Sequence, residues 1–165
     1  MVDSFRYLSP ASTAIVTMLI AKAPSDSIPW TPLSRPLSEA RIALVSTAAL
    51  SMRTDRPFDT DGERANPWWG DPSYRLIPST ATERDVVASH LHIETAYLEQ
   101  DLDVALPLRR LAELEAERVV GSAAPSHYSV QGYLLDPNEF LATSISAIAE
   151  RMKGDEVDAA VFLPV

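Results

Sequence analysis

The apolar positions of the chain fall into two kinds of run. Ile42 to Val45 is continuous, the pattern of a strand with both faces covered. It predicts a buried central strand over Arg41 to Thr47. Val157 to Leu163 reads the same way and predicts a second buried strand, parallel to the first. Elsewhere the apolar residues recur at helical spacing. Ala14, Ile15, Met18 and Leu19 follow Ser9-Pro10, a capping serine and a proline suited to the first helical position. Lys22 sits near the negative end of that helix, and Pro24 ends it. Leu108, Leu111, Ala112 and Val119 mark the inner face of a helix opened by Pro107, which runs to about Arg118 before Gly121. Leu141, Ile145, Ile148 and Met152 mark another, opened by Asn138 and closed by Gly154 in the C′ position. Tyr74 to Ile77 and Ser89 to Ile93 read as short strands, with Thr82 to Val87 a capped turn between them.

Strands alternating with helices predict an α/β protein with a mainly parallel sheet and flanking helices, Rossmann- or flavodoxin-like. No helix follows Val157 to Val165, so the fold is expected to be incomplete at the C-terminus. Prolines forbid regular structure over Ser25 to Pro36, giving an extended arm with Trp30 and Leu33 as anchors. The organisation expected is a helix and proline-rich arm over 1–40, then an α/β domain over 41–165. Ser51 to Pro72 reads as a long charged loop holding Trp68 and Trp69. Loops of that length in compact domains are usually functional, and the tryptophans suit a lid or loop anchors.

Composition narrows the function. With 165 residues, 46% apolar and 22% charged, the chain has enough apolar surface for a core. Net charge -9 argues against nucleic acid or an anionic membrane as the main partner. The chain has no cysteine, so it supplies no disulfide, thiol nucleophile or Cys-ligated zinc. Ala14 to Ala21 is too short to span a bilayer, and Asp3 and Arg6 interrupt any leader-like run. A cytoplasmic protein is expected, with no bound cofactor.

Several segments share a family signature. Trp30-Thr-Pro-Leu-Ser-Arg-Pro-Leu37, Ala40 to Thr47, Trp69-Gly-Asp-Pro-Ser-Tyr-Arg-Leu-Ile-Pro78, Ser89-His-Leu-His-Ile93, Val104 to Leu111, Gly121 to Gly132 and Val157 to Val165 occur in order. Together they resemble the glycine/sarcosine/betaine/D-proline reductase selenoprotein B family. The resemblance implies reductive cleavage of a C–N bond in a small amino-acid-like substrate, with electrons from dithiols and partner reductase subunits. It also implies a selenocysteine or cysteine directly after the strand resembling Val157 to Val165, with a cysteine three positions on. A selenolate or thiolate there is stabilised by a helix N-terminus. No catalytic residue is therefore expected within the chain. Val165 is expected to be followed by a UGA codon read as selenocysteine, and the 165-residue product by itself to be inactive. The rival expectation is a non-catalytic binding or assembly subunit completed by another chain.

Six residues are candidates for substrate binding. His90 and His92 alternate with apolar residues, so in a strand they share a face with Glu94. That suits a polar substrate-facing role, a two-His-one-carboxylate metal site or structural hydrogen bonding. His127 and Tyr128 lie after Gly121 and Pro125 in an expected loop, suited to substrate contact, proton donation or loop packing. Asp71 and Arg75 suit the ammonium and carboxylate of an amino acid, or a turn and a solvated strand residue. His90, His92, His127 and Tyr128 are expected to gather at the sheet edge that carries Val165.

Overall fold

The computed structural model describes residues 8–22, 30–66 and 68–165. The chain divides into two compact units, Met1–Pro32 and Leu33–Val165. In the first, helix α1 spans Pro10–Lys22, and Ser9 caps it by accepting the Ser12 amide on Oγ at 3.1 Å. The expected stop at Pro24 and the first five residues of the proline-rich arm, 25–29, lie outside the described residues. Trp30 and Leu33, expected as anchors, are exposed.

The second unit is α/β, with a mostly parallel sheet flanked by helices. Its first strand, β1 (Arg41–Ser46), lies inside the sheet. Ile42 and Leu44 enter one apolar cluster and Ala43 and Val45 the other. Both faces are covered, which is why the run is continuous rather than alternating. On one side β1 pairs in parallel with β7 (Ala159–Leu163), from Ile42 opposite Ala159 to Ser46 opposite Leu163. On its other side lie β5 (Ser122–Ala123) and β6 (Ser126–Val130), also parallel. β3 (Tyr74–Pro78) adds to the far side of β6 antiparallel. A separate ribbon pairs β2 (Leu50–Met52) with β4 (Val86–Ala88).

The neighbour of β1 is interrupted. Arg41 faces Ser122 and Val45 faces Tyr128, so four steps along β1 are matched by six along the partner. Two extra residues bulge out around Ala124-Pro125. Proline lacks the amide a ladder needs, so such a break is where a strand tolerates it.

Helix α2 (Thr60–Ala65) and β2 occupy what the sequence reads as one long loop. Helices α3 (Ala96–Gln100) and α4 (Leu108–Ala116) pack under β1, the latter through Leu108 and Leu111. Helix α5 (Asn138–Phe140) continues through a π-helical turn, Leu141–Ile145, into α6 (Ser146–Gly154). This segment packs on the opposite face through Phe140, Ile148 and Met152.

Several expectations are corrected. β7 is parallel to β1, as its apolar run predicts, but it forms an edge of the sheet. Val161 is 46% and Phe162 67% exposed, because only one side of β7 has a neighbouring strand among the described residues. Ser89 to Ile93 is not a strand: pairing with β2 ends at Ala88, and the chain turns. The turn at Thr82 is capped by Asp85, whose Oδ2 accepts from the Thr82 amide and hydroxyl, and strand begins at Val86. Ala112 and Val119 are exposed, and Val120 takes the core position. Gly154 is the last residue of α6 rather than its C′ residue. The left-handed position falls to Glu156, with φ of 54°.

Candidate functional site

Because β1, β6 and β7 are parallel, their C-terminal ends share one edge, where open α/β sheets bind ligands. Thr47, Gln131 and Val165 follow these strands. Thr47 joins all three. Its amide donates to the Leu163 carbonyl at 3.1 Å, its carbonyl accepts the Gly132 amide at 3.0 Å, and its Oγ1 accepts the Val165 amide at 2.9 Å.

A polar chain starts beside this junction. Gln131 is buried, and its Oε1 accepts the Asp71 amide at 2.5 Å while its Nε2 donates to Glu63 Oε2. Glu63, on α2, is 3% exposed. Its other oxygen lies 2.6 Å from His92 Nε2. The His92 side chain is 49% exposed. Its ring stacks on Tyr133 with centroids 4.3 Å apart, and the His90 ring meets it edge-on. His90 Nδ1 accepts the His92 amide at 3.1 Å. Burial, then the neighbouring His92, lower the pKa of His90 against the opposing pull of Glu63, so His90 is neutral at pH 7. The result is a buried carboxylate holding one nitrogen of a solvent-facing imidazole.

Asp71 anchors the inner end of the chain. Its Oδ2 accepts the Asp59 amide, and its Oδ1 accepts the Ser73 amide and hydroxyl. Burial pushes its carboxyl pKa up, but these hydrogen bonds and the Arg75 charge outweigh burial, leaving it below the ordinary range. Arg75 is occupied throughout. Nε donates to the Arg56 carbonyl, Nη2 to the Pro57 carbonyl, and Nη1 to Ser73 Oγ and the Tyr74 carbonyl. Its guanidinium also covers the Phe58 ring at 4.4 Å. In this arrangement Asp71 and Arg75 hold the segment over 56–73 in place. Trp69 lines a polar cleft of about 430 Å³ beside them, while Trp68 is exposed.

His127 and Tyr128 are brought elsewhere. They lie on β6, not in a loop, and both are fully buried. The bulge leaves the Leu44 amide without a strand carbonyl, and His127 Nδ1 accepts it at 3.0 Å. The His127 proton is thereby assigned to Nε2, which has no hydrogen-bond partner among the described residues. Burial lowers the His127 pKa to about 4. Tyr128 Oη is likewise unpartnered, and burial raises its pKa, assisted by Asp155.

The expected gathering therefore divides. His90 and His92 belong to the polar chain at the edge, whereas His127 and Tyr128 lie inside the sheet. The metal reading of His90, His92 and Glu94 does not follow: Glu94 accepts the Ala96 amide at 3.1 Å. Among the described residues no group of three or more acidic or histidine side chains is placed to hold a metal ion.

His127 makes stability depend on pH. Its folded-state pKa lies below the ordinary 6.5, so between these values the unfolded chain binds the extra proton. Stability is therefore complete above pH 6.5 and falls as pH drops towards 4, by up to about 3 kcal/mol. Urea unfolding from pH 7 to 4 should show this fall, and His127→Gln should flatten it.

The edge also holds an apolar cavity of about 440 Å³ between the strand ends and the α5–α6 segment. Phe162, Val130 and Met152 line its walls, Leu141 and Ile145 of the π-helical turn enter it, and Thr47 and Gln131 stand at its polar end. π-helical turns inside helices are frequent at functional sites.

Against known proteins, the chain is 27% identical over 133 residues to D-proline reductase subunit gamma of Acetoanaerobium sticklandii. The chain is a distant relative of this reductase family. The match covers 81% of the chain and 52% of the relative, so the chain spans about half the length of the curated protein it matches. No family model and no solved structure matches it. Among the described residues, no helix is long and apolar enough to cross a membrane.

Glu63, Gln131 and Tyr133 escaped the reading of the sequence. Glu63 sits in a run of charged residues where nothing separates it from solvated neighbours. Gln131 is no better marked: it follows Ser126-His-Tyr-Ser-Val130, which has too few apolar residues to read as a strand.

Proposed function

We propose that the chain is part of a dithiol-dependent reductase that cleaves a C–N bond in a small amino-acid-like substrate. The observation that carries this reading is the shared edge: three parallel strands end beside one polar chain and one cavity. In this reading the redox residue, selenocysteine or cysteine, directly follows Val165. β7 would deliver it next to Thr47, which already accepts the Val165 amide. His90 and His92 face the substrate, and the apolar cavity takes its carbon skeleton. Partner reductase subunits complete the assembly, which works in the cytoplasm. The similarity to D-proline reductase subunit gamma supports this class of chemistry.

The test is the nucleotide sequence after the Val165 codon. An in-frame UGA, with a cysteine codon three positions on and coding sequence beyond, is the expected result. A UAA or UAG codon there would sink it. It would promote the second reading, a non-catalytic assembly subunit, which the exposed Val161 and Phe162 on the edge strand β7 favour.

A further inference from the structure

The imidazole at the sheet edge has the geometry of an oriented base. Glu63 is buried, is gripped on one oxygen by Gln131, and meets His92 Nε2 with the other at 2.6 Å. A carboxylate in that position holds the proton on Nε2 and leaves the lone pair on Nδ1. Nδ1 has no hydrogen-bond partner among the described residues. Tyr133 fixes the plane of the ring by stacking, and His90 closes its edge. The groups facing the ring are thus Glu63 from α2, His90 from its own segment and Tyr133 after β6. A carboxylate–imidazole pair with one nitrogen buried and the other presented is how proteins orient a general base.

We propose that His92 is a catalytic base that deprotonates a thiol at this edge, with Glu63 and Gln131 as its positioning residues. The inference rests on the reductase reading, which supplies the thiol as the dithiol reductant. In the step, the S–H bond breaks and its electron pair stays on sulfur. The proton passes to His92 Nδ1, and the imidazolium so formed is balanced by Glu63 across Nε2–H. No electron leaves the pair, and the thiolate is ready to attack. The base is needed because a thiol of pKa about 8.5 is only about 3% ionised at pH 7.

The test uses the complete reductase assembly isolated from its source, carrying either the natural chain or His92→Gln. Dithiothreitol serves as the reductant, and D-proline, glycine, sarcosine and betaine are each offered as substrate. Glutamine keeps a donor towards Glu63 but cannot take a proton. Turnover by H92Q should fall about a hundredfold at pH 7. At pH 9 a thiol is about 75% ionised without help, so the deficit should shrink about twentyfold. Glu63→Gln should behave alike, because its amide donates to Nε2 and moves the proton to Nδ1, a change of tautomer visible by 15N NMR. A natural rate for H92Q at pH 7, or a deficit equal at both pH values, would overturn the assignment of the base alone. Failure of the natural assembly to consume any of the four substrates would overturn the reductase reading, and this inference with it.

Discussion

Gly70→Ala should destabilise the second unit by about 4 kcal/mol, above the usual range of about 1–3 kcal/mol for overpacking. A Cβ at Gly70 would stand 1.9 Å from the Tyr133 carbonyl oxygen and 3.0 Å from its carbonyl carbon. The obstacle is backbone, so no rotamer change relieves it. Either the segment through Trp69 and Asp71 lifts away, or the strand exit at Gly132-Tyr133 moves. Both routes break the hydrogen bond from the Asp71 amide to Gln131, and the second also disturbs the Tyr133 ring against His92. Urea unfolding should show a lower midpoint, and the His92 side-chain NMR signals should shift. A midpoint unchanged within error would show that the close approach is relieved without loss. Gly154→Ala, with nothing within 4 Å of its Cβ position, is the matched control and should leave stability within about 0.5 kcal/mol.

Gln131→Leu should lower stability by about 4 kcal/mol, from two groups orphaned at about 2 kcal/mol each. Leucine has nearly the volume of glutamine, so packing is kept and the loss isolates the hydrogen bonds. The Asp71 amide loses its acceptor, and Glu63 Oε2 loses a donor while remaining buried. The second loss is the more specific. Without the grip of Gln131 on Oε2, the Glu63 carboxylate is free to turn away from His92 Nε2, and the His92 tautomer is no longer fixed. Gln131→Leu should therefore combine a lower urea midpoint with a change in the His92 15N tautomer signature. Gln131→Glu tests the charge separately: two carboxylates in contact raise the affinity of the pair for a proton, so its stability should improve as pH falls from 8 to 5. Natural stability in Gln131→Leu would mean that the buried amide is not a structural link.

Both expectations concern residues whose importance is invisible along the chain. Gln131 and Glu63 are separated by 68 positions, and Glu63 and His92 by 29. No local period records such a pairing. The histidine alternation at His90 and His92 did point to the edge, although for a different reason: the segment is a turn after β4, not a strand. His127 shows the opposite case. Its neighbour Pro125 marks an interruption that is legible in the sequence, but the consequence is not. The bulge deprives the Leu44 amide of a carbonyl, and His127 fills that vacancy from inside the sheet. A titratable residue beside a proline reads as an exposed loop until the register of the neighbouring strand is known.

The local choices are written in the order of the residues alone. Ser9 capping α1, the strand from Arg41, the helices opened by Pro107 and Asn138, and the α/β class follow from capping chemistry and from the spacing of apolar side chains. Those signals act within a few residues, so the sequence carries them directly. Long-range packing instead places β7 at the edge with Phe162 exposed, makes His127 a core acceptor, and buries Glu63 behind His92. An apolar run says that a strand can be covered on both faces; which strand stands beside it depends on the whole order of the sheet. Likewise, a carboxylate in a charged segment becomes an orienting group only when a distant glutamine and histidine close around it.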